Sequence, residues 1–347
     1  MIESTSPRIR TFLPPYLLER IAGGSDPRLR ECARHTLQAD HGFRARAGAA
    51  RLAPDSLRRG EPARYIHSAE GRQELPGRRV RSEGEGDSGD PAVDEAYHGL
   101  GATYRLFWEA FQRHSLDDRG LALVATVHYG QDYENAFWDG SQMVFGDGDG
   151  ELFNRFTIAL DIIAHELTHG VIQHEAALTY AHQAGALNES LSDVFGSLVK
   201  QHARGQRAGE ADWLIGAGLF TERVAGRALR SMAEPGTAYD DPVLGRDPQP
   251  GHMDDFVETQ EDNGGVHINS GIPNRAFQLA ATSLGGPAWE GVGRVWYDTL
   301  VDRRLAKDSD FGAFAELTRD NAAGRFGASS REAEAVREAW RSVGVLP

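Results

Sequence analysis

The chain has 347 residues, of which 40% are hydrophobic and 25% charged, a composition typical of a folded protein with room for two domains around a sizeable core. Its net charge of −14 argues against nucleic acids and anionic membranes as partners, and no stretch approaches the roughly 18 apolar residues of a membrane span. The single cysteine, Cys32, cannot form an internal disulfide, so folding requires no oxidising compartment.

The first 50 residues differ in charge from the rest of the chain. They contain eight Arg against five Asp and Glu, a net charge of +3, which leaves −17 for the other 297 residues. Opposite charges favour association between a short leader and the body that follows it. A Phe-Leu-Pro-Pro-Tyr-Leu-Leu segment at residues 12–18 precedes an Arg-rich amphipathic stretch, and no standard secretory signal is recognised. The alternative interpretation is a disordered tail.

Residues 64–145 show the pattern of short strands separated by turns. Residues 65–68 and 121–129 are rich in β-branched and aromatic residues and are bounded by Gly, Pro and Asp. One helix is predicted at residues 91–114, because apolar residues recur there at helical spacing. This part of the chain is therefore expected to be β-rich.

The central element is a predicted helix over residues 161–170 that contains the pattern His-Glu-x-x-His. A helix advances about 100° per residue, so His165 and His169, four positions apart, project from one face and can bind a single cation. Two neutral imidazoles suit Zn²⁺, and Glu166 can take a proton from a metal-bound water. Two histidines that merely contact neighbouring side chains are the alternative, which a third ligand would exclude.

A second predicted helix, at residues 188–204, supplies that ligand. A catalytic zinc typically has three protein ligands and one open position, and two His with one Glu is a recurring set. Glu189 is therefore the expected third ligand. Asp193, one turn further on, is placed to accept the spare N–H of a ligating histidine. The alternative is a solvated helix face that carries both acids.

The remainder of the chain is predicted to be mainly helical. Further helices are expected at residues 212–220, 270–284, 288–305, 308–326 and 330–343. A β-rich lobe is thus expected to meet an α-helical lobe at the zinc helix, with a substrate cleft between them.

The motifs at residues 165–170 (HELTHG) and 185–196 (GALNESLSDVFG) resemble the thermolysin family of zinc metallopeptidases, the gluzincins. Segments at residues 135–150, 229–232 and 262–271 also resemble family segments and follow in family order. The resemblance covers residues 80–347.

The resemblance implies an α+β fold with two catalytic lobes. The β-rich N-terminal lobe would comprise residues 51–172 and end in the HExxH helix, and the α-helical C-terminal lobe would comprise residues 173–347. It further implies a monomeric zinc-dependent neutral endopeptidase that hydrolyses internal bonds of peptides and proteins.

Catalytic residues beyond the zinc helix are also implied by the resemblance. His267 and Tyr180 would stabilise the negative charge that develops on the carbonyl oxygen, and Asp262 would orient His267. Glu166 would act as the general base and pass the proton on to the leaving amine.

Substrate-binding residues follow from the same resemblance. Asn135, Ala136 and Arg230 would hold the peptide backbone, which would add to a sheet edge as an extra strand. An apolar pocket, implying cleavage before bulky hydrophobic residues, would be formed by Phe153, Phe156, Ile162 and Leu229.

Calcium binding is the family property that the sequence puts in doubt. Asp161 and Asp212 match the family's double calcium site, but acidic ligands are missing from three of its positions, occupied here by Lys200, Leu214 and Ala217. An ammonium at Lys200 can neutralise Asp161 without a metal. The double site is therefore expected to be lost, while weaker calcium sites elsewhere are left open.

Residues 12–18 resemble the short prosegment of protealysin-like members of the family. We therefore expect residues 1–50 to be an inhibitory prosegment that is released by cleavage within residues 44–54. Because no standard signal peptide is recognised, the precursor is expected to stay in the cytoplasm or to be secreted by a non-standard route.

Two other classes of protein compete with this interpretation. A zinc hydrolase of another kind, such as an aminopeptidase, is disfavoured by the edge-strand segment and by the lack of a recognisable amine-binding segment. A catalytically inactive zinc-binding scaffold is disfavoured because it would have no need of Glu166.

Overall fold

The computed structural model describes residues 10–43, 54–56 and 58–347. The expected cleavage segment, residues 44–54, lies outside the described residues except for Pro54. Within the described ranges, no helix is both long and apolar enough to cross a membrane.

A six-stranded mixed sheet forms the N-terminal lobe. Its strands are β1 (Arg10–Thr11), β2 (Arg64–Ser68), β3 (Arg78–Ser82), β4 (Leu123–Val127), β5 (Ala136–Trp138) and β6 (Met143–Phe145). They lie in the order β1-β5-β6-β4-β2-β3, with β2, β4 and β6 mutually parallel and the other neighbours antiparallel. Every residue of β4 is buried, as expected of a strand covered on both faces.

Four helices accompany this sheet. They are α1 (Pro15–Ala22), α2 (Pro27–Phe43), α3 (Pro91–Phe111) and α4 (Leu160–His174). The first two pack together, α3 packs on β2 and β4, and α4 packs on β5 and β6. The side chain of Asp90 caps α3 by accepting hydrogen bonds from the first free amides, and Gln112, at φ 59°, ends it three residues before the predicted helix end.

The C-terminal lobe is mainly helical. Its helices are α5 (His182–Arg204), α6 (Asp262–Asn269), α7 (Gly271–Leu284), α8 (Val292–Leu300), α9 (Phe311–Phe326) and α10 (Arg331–Ser342), with a short 3₁₀ helix at Met253–Asp255. Two small antiparallel pairs complete it, formed by β7 (Leu214–Ile215) with β8 (Arg230–Ser231) and by β9 (Asp240–Asp241) with β10 (Gly245–Arg246). This arrangement confirms the predicted fold class.

Helices α4 and α5 approach each other closely at the junction of the lobes. A β carbon added to Gly196 of α5 would lie only 2.7 Å from the backbone oxygen of Asp161 on α4, so a larger residue there would force the helices apart. Helix α4 is buried continuously from Asp161 to Ile172. The polar side chains of the zinc helix therefore face a closed interior.

One predicted helix is wrong. Residues 212–220 contain strand β7 instead, followed by turns. Gly216 and Gly218 take positive φ angles of 77° and 92°, which end regular structure, and the backbone oxygen of Leu214 accepts a hydrogen bond from Lys200. The helix predicted at residues 288–305 is shorter in the structure, where α8 starts at Val292 and ends at Leu300.

Candidate active site

The two histidines of α4 and one glutamate of α5 converge in the buried interior. Nε2 of His165 lies 3.3 Å from Oε2 of Glu189, and Nε2 of His169 lies 3.4 Å from Oε1 of the same carboxylate. The ligand atoms of both histidines and of Glu166 also lie within 4.8 Å of one another. Each oxygen of Glu189 thus faces one imidazole nitrogen, which is the position expected of the predicted third ligand.

The polar atoms of this cluster fit a zinc ion. Nε2 of both histidines and Oε2 of Glu189 have no hydrogen-bond partner among the described residues, although all three side chains are buried. Buried polar atoms are rarely left unpaired, so three that converge indicate a bound cation. Ligand atoms about 2.0–2.1 Å from one zinc at tetrahedral angles lie about 3.3 Å apart, which agrees with the observed separations.

The other nitrogen of each histidine is held by the protein. Nδ1 of His165 lies 2.7 Å from Asp193, and Nδ1 of His169 lies 2.8 Å from Asn188 and 3.0 Å from Ser192. These contacts orient both rings and leave Nε2 free for the metal. Only Asp193 was expected from the sequence.

Asp193 is itself fixed by a buried network. Arg230 donates two hydrogen bonds of 2.8 Å to its carboxylate, and Asn274 donates a third of 2.8 Å. Burial opposes ionisation, yet the Arg230 guanidinium and His165 hold the pKa of Asp193 at about 2. Asp193 is therefore a permanent anion behind the first histidine.

Glu166 occupies the same cavity as the ligands. Neither of its carboxylate oxygens has a hydrogen-bond partner among the described residues. Burial raises the pKa of Glu166 to about 8, and its position among the ligand atoms suits a general base.

His267 enters the site from a strained turn. Asn263, Gly264 and Gly265 have φ angles of 53°, 87° and 75°, a left-handed path that two glycines make accessible. This path lets Asp262 accept hydrogen bonds from both the backbone nitrogen of His267, at 2.8 Å, and its Nδ1, at 2.6 Å. Burial alone would lower the pKa of this imidazole, but Asp262 and Glu189 raise it to about 9.

Tyr180 lies beside the predicted ligands. Its hydroxyl donates to Oε1 of Glu189 at 2.5 Å and lies 3.2 Å from Nε2 of His267. The structure thus brings Tyr180 and His267 together at one side of the zinc-binding cluster.

Strand β5 is not a free edge, because β1 from the N-terminal segment pairs with it. Phe12 donates its backbone N–H to the oxygen of Ala136 at 2.9 Å, and Leu13 donates its own to Oδ1 of Asn135 at 2.8 Å. Nη1 of Arg230 donates to the carbonyl oxygen of Phe12 at 3.4 Å. The three residues expected to hold a substrate backbone all contact residues 12 and 13 of the same chain.

The Phe12 side chain is buried beside Leu229, one of the predicted pocket residues. Its ring centroid lies 5.3 Å from that of His165, and its edge lies beside Gly216 together with Leu229. Of the expected pocket residues, Leu229 lies with Phe12 beside Gly216. All four are buried: Phe153, Phe156, Ile162 and Leu229.

Helix α2 adds polar contacts that the sequence did not reveal. Asp40 accepts hydrogen bonds from the Tyr133 hydroxyl at 2.5 Å and from Nδ2 of Asn135 at 3.2 Å. The hydroxyl of Thr36 accepts the backbone N–H of Glu134 at 3.0 Å. The side chain of Asn135 is therefore held on both its oxygen and its nitrogen by residues 10–43.

Lys200 lies beside Asp161, as predicted from the sequence. Its ammonium donates to Asp161 and Asp212, each at 2.8 Å, and to the backbone oxygen of Leu214 at 2.6 Å. The expected contact with Asp161 is thus present. The buried Lys200 ammonium, surrounded by three oxygens, is therefore the cation that neutralises Asp161 and Asp212.

Replacing Lys200 with methionine should lower the free energy of unfolding by about 3–5 kcal/mol, because the buried Asp161 carboxylate would lose its cationic partner. Thermal denaturation of the two proteins checks this. Lys307 is exposed, so Lys307→Met is the matched control and should leave Tm nearly unchanged. Equal Tm values for Lys200→Met and Lys307→Met would contradict the role of the ammonium.

A second buried acid with a shifted pKa, Glu134, lies next to helix α2. Glu134 is fully buried and is faced by Asp149, Asp132 and the thiol of Cys32. Burial, assisted by the Asp149 carboxyl, raises the pKa of Glu134 from its ordinary 4.5 to about 9. The folded protein therefore keeps Glu134 protonated at neutral pH.

This shift predicts a pH dependence of stability. Because the pKa is higher in the folded than in the unfolded chain, the contribution of Glu134 falls as pH rises from about 4.5 to about 9. Between pH of about 4.5 and about 9, the Tm of Glu134→Gln should therefore fall less than the Tm of the unmodified chain. The exposed variant Glu222→Gln should show the same fall of Tm as the unmodified chain. Parallel Tm profiles for the Glu134 variant and the unmodified chain would be the contrary result.

The two lobes, the HExxH helix and the glutamate on the next helix define a zinc metallopeptidase. Two family models match the chain: "Thermolysin metallopeptidase, catalytic domain" over residues 65–173 and "Thermolysin metallopeptidase, alpha-helical domain" over residues 176–345. The chain belongs to the thermolysin family of metalloendopeptidases.

Similar proteins share this assignment. An extracellular metalloprotease of Pectobacterium carotovorum subsp. carotovorum is 56% identical over 337 residues, which cover 97% of this chain and 96% of that protein. A thermolysin of Alicyclobacillus acidocaldarius subsp. acidocaldarius is 38% identical over 263 residues, or 74% of this chain and 46% of that protein. The solved structure of the precursor of protealysin, a metalloproteinase from Serratia proteamaculans, has a TM-score of 0.89 and 56% identity, covering 97% of this chain and 99% of that one.

Proposed function

We propose that this metalloendopeptidase cleaves peptide bonds before bulky hydrophobic residues and is made as a precursor that residues 1–50 inhibit. The observation that supports this proposal most directly is the pairing of β1 with β5. Because of this pairing, residues 10–13 lie along the strand that a substrate would use. An extended peptide that adds to a sheet edge satisfies its backbone through the strand and its side chains through pockets.

The residues of the site divide the work of hydrolysis. Zinc, when held by His165, His169 and Glu189, supplies Lewis acidity that polarises a carbonyl and lowers the pKa of water. Glu166 accepts a proton from the attacking water and returns it to the leaving nitrogen. His267 donates from Nε2 to the carbonyl oxygen as negative charge develops there.

The proposed preference for a hydrophobic residue rests on Phe12. Its backbone nitrogen and carbonyl are held by Ala136 and Arg230, so its side chain marks the pocket that follows the cleaved bond. The Phe12 ring is fully buried beside Leu229, and the guanidinium of Arg230, 4.7 Å from the ring centroid, is already paired with Asp193. Peptides that differ only at this position, with Phe or Leu against Asp or Gly, test the preference through kcat/KM.

The proposed inhibition has a direct physical basis. Residues 10–13 occupy the hydrogen-bonding groups of β5, and Asp40 holds the amide of Asn135. An external peptide needs the same groups, so binding of the two is mutually exclusive. Buried residues of α1, including Leu17, Leu18 and Ile21, anchor the segment next to the cleft.

Phe12→Asp should make the unprocessed chain active. Aspartate loses the apolar contacts of the buried ring, and the nearby Arg230 guanidinium already pairs with Asp193, so the new carboxylate carries a desolvation penalty of several kcal/mol that weakens docking of the segment. We expect the uncut variant to hydrolyse an external peptide at least about tenfold faster than the uncut parent, since 1.4 kcal/mol already corresponds to that factor. Initial rates are measured before any cleavage is visible by mass spectrometry.

The control for this experiment lies on the same segment. Glu19 is exposed on α1, so Glu19→Gln should leave the uncut chain as inactive as the parent. Full peptidase activity of the uncut parent would show that residues 1–50 do not inhibit. If the uncut parent and the uncut Phe12→Asp variant had equally low peptidase activity, docking of Phe12 would not be required for inhibition.

A further inference from the structure

The peptide bond between Thr11 and Phe12 lies against the groups that hydrolyse a substrate. The carbonyl oxygen of Thr11 is 3.0 Å from Nε2 of His267, the donor that the proposed function assigns to the carbonyl of the cleaved bond. On the other side of Thr11, Nη1 of Arg10 donates to the backbone oxygen of His169 at 3.1 Å, and its guanidinium lies 5.6 Å from the ring centroid of Tyr180. The acyl side of the bond is therefore held at the zinc helix.

The amine side of the same bond is held equally well. The nitrogen of Phe12, which would be the leaving group, donates to Ala136, and its carbonyl accepts from Arg230. The next amide, that of Leu13, donates to Asn135. An inhibitory segment that merely covered the cleft would not need this register, in which one particular bond faces the catalytic donor.

We propose that the chain hydrolyses its own Thr11–Phe12 bond, an inference that rests on the proposed function. A water oxygen bonds to the carbonyl carbon of Thr11 and the C–N bond to Phe12 breaks. Both protons of the water end on the Phe12 nitrogen, with Glu166 carrying one of them. The products are a peptide that ends in the Thr11 carboxylate and a chain that begins with the Phe12 ammonium.

Burial makes this cleavage intramolecular. Thr11 is 6% exposed and Phe12 is 0% exposed, so the active site of a second molecule cannot reach the bond while the segment is docked. The reaction should therefore be first order, with a rate constant that does not depend on protein concentration.

The cut does not by itself free the cleft. Phe12 and Leu13 stay continuous with α1 and α2, whose buried residues and Asp40 hold them against the body. The nicked chain is thus an intermediate that precedes release of the rest of the segment. The Phe12 side chain remains in its pocket, with the new amine at the oxygen of Ala136.

The experiment uses the full-length chain, prepared without metal and started by addition of zinc. It is mixed with an equal amount of ¹⁵N-labelled Glu166→Gln chain, which presents the same bond but lacks the base. Mass spectrometry follows the N-termini of both chains, and hydrolysis of an external peptide is measured in parallel. We expect a Phe12 terminus on the unlabelled chain only, formed at a rate independent of total protein concentration.

Two results would overturn the self-cleavage proposal and leave the peptidase function intact. One is an unlabelled chain that hydrolyses the external peptide and yet releases a segment in which Thr11 and Phe12 are still joined. The other is a Phe12 terminus on the labelled chain, which would mean cleavage between molecules. If the chain does not cut itself while the Phe12→Asp chain hydrolyses the external peptide, the self-cleavage proposal alone fails. If the Phe12→Asp chain and the unlabelled chain both leave the external peptide and their own bonds uncut, the proposed function fails together with the inference.

Discussion

Glu166→Gln should lower kcat/KM for an internal peptide bond by at least about 10³-fold while one zinc per chain is retained. The amide has nearly the same shape as the carboxylate but cannot accept the proton of the attacking water. The side chain is buried and makes no hydrogen bond to a described residue, so the change breaks no structural contact there. Activity, zinc content and Tm are the three measurements, made on both proteins after an added protease has removed residues 1–50, because the variant is not expected to process itself.

The control is Glu222→Gln, an exposed carboxylate far from the described contacts of the site, which should retain full activity. If Glu166→Gln hydrolysed the peptide at the parental rate, another group would have to be the base. A loss of activity accompanied by loss of zinc would instead make Glu166 a ligand.

Glu189→Gln should abolish both zinc binding and activity. A neutral amide is a poor zinc ligand, and two histidines alone do not complete a catalytic site, so kcat/KM should fall by at least about 10³-fold. The variant separates the two glutamates, since zinc is lost here and kept in Glu166→Gln. Zinc per chain after dialysis, measured by atomic emission, reports the difference.

Asp193→Asn should have a zinc affinity between those of the parent and of Glu189→Gln. Removing a carboxylate behind a ligating histidine typically lowers metal affinity about 10–100-fold, less than the loss of a ligand. The order of zinc affinity should therefore be parent, Asp193→Asn, Glu189→Gln. Unchanged zinc affinity in Glu189→Gln would exclude it as the third ligand.

Much of the site was predictable because it lies on two helices. Spacing of four residues places His165 and His169 on one helix face, and the same spacing on α5 places Glu189 toward the metal and Asp193 behind it. Helical periodicity needs no knowledge of distant contacts. The fold class and most helices of the second lobe followed from the same kind of local pattern.

Contacts between distant segments were not predictable in this way. Asn274 binds Asp193 across 81 positions, and Asp40 binds Asn135 across 95. Neither has a sequence pattern that specifies its partner. Asn188 is different, because it precedes Glu189 directly, and an amide on the turn that faces His169 was a signal that could have been used.

The wrong helix at residues 212–220 has a similar origin. Its apolar spacing is compatible with a helix, but Lys200 recruits Asp212 and the backbone of Leu214 into a tertiary site. Such a site overrides local propensity. The register of residues 10–13 on β5 likewise depends on the surface that receives them.

The most direct test of the account is a crystal structure of the processed enzyme with zinc, using anomalous diffraction at the zinc edge. We predict one zinc peak about 2.0–2.2 Å from Nε2 of His165, Nε2 of His169 and the carboxylate of Glu189, with no fourth protein ligand. A peak that Glu189 does not touch, or a fourth side chain that closes the open position, would contradict the proposed hydrolytic mechanism.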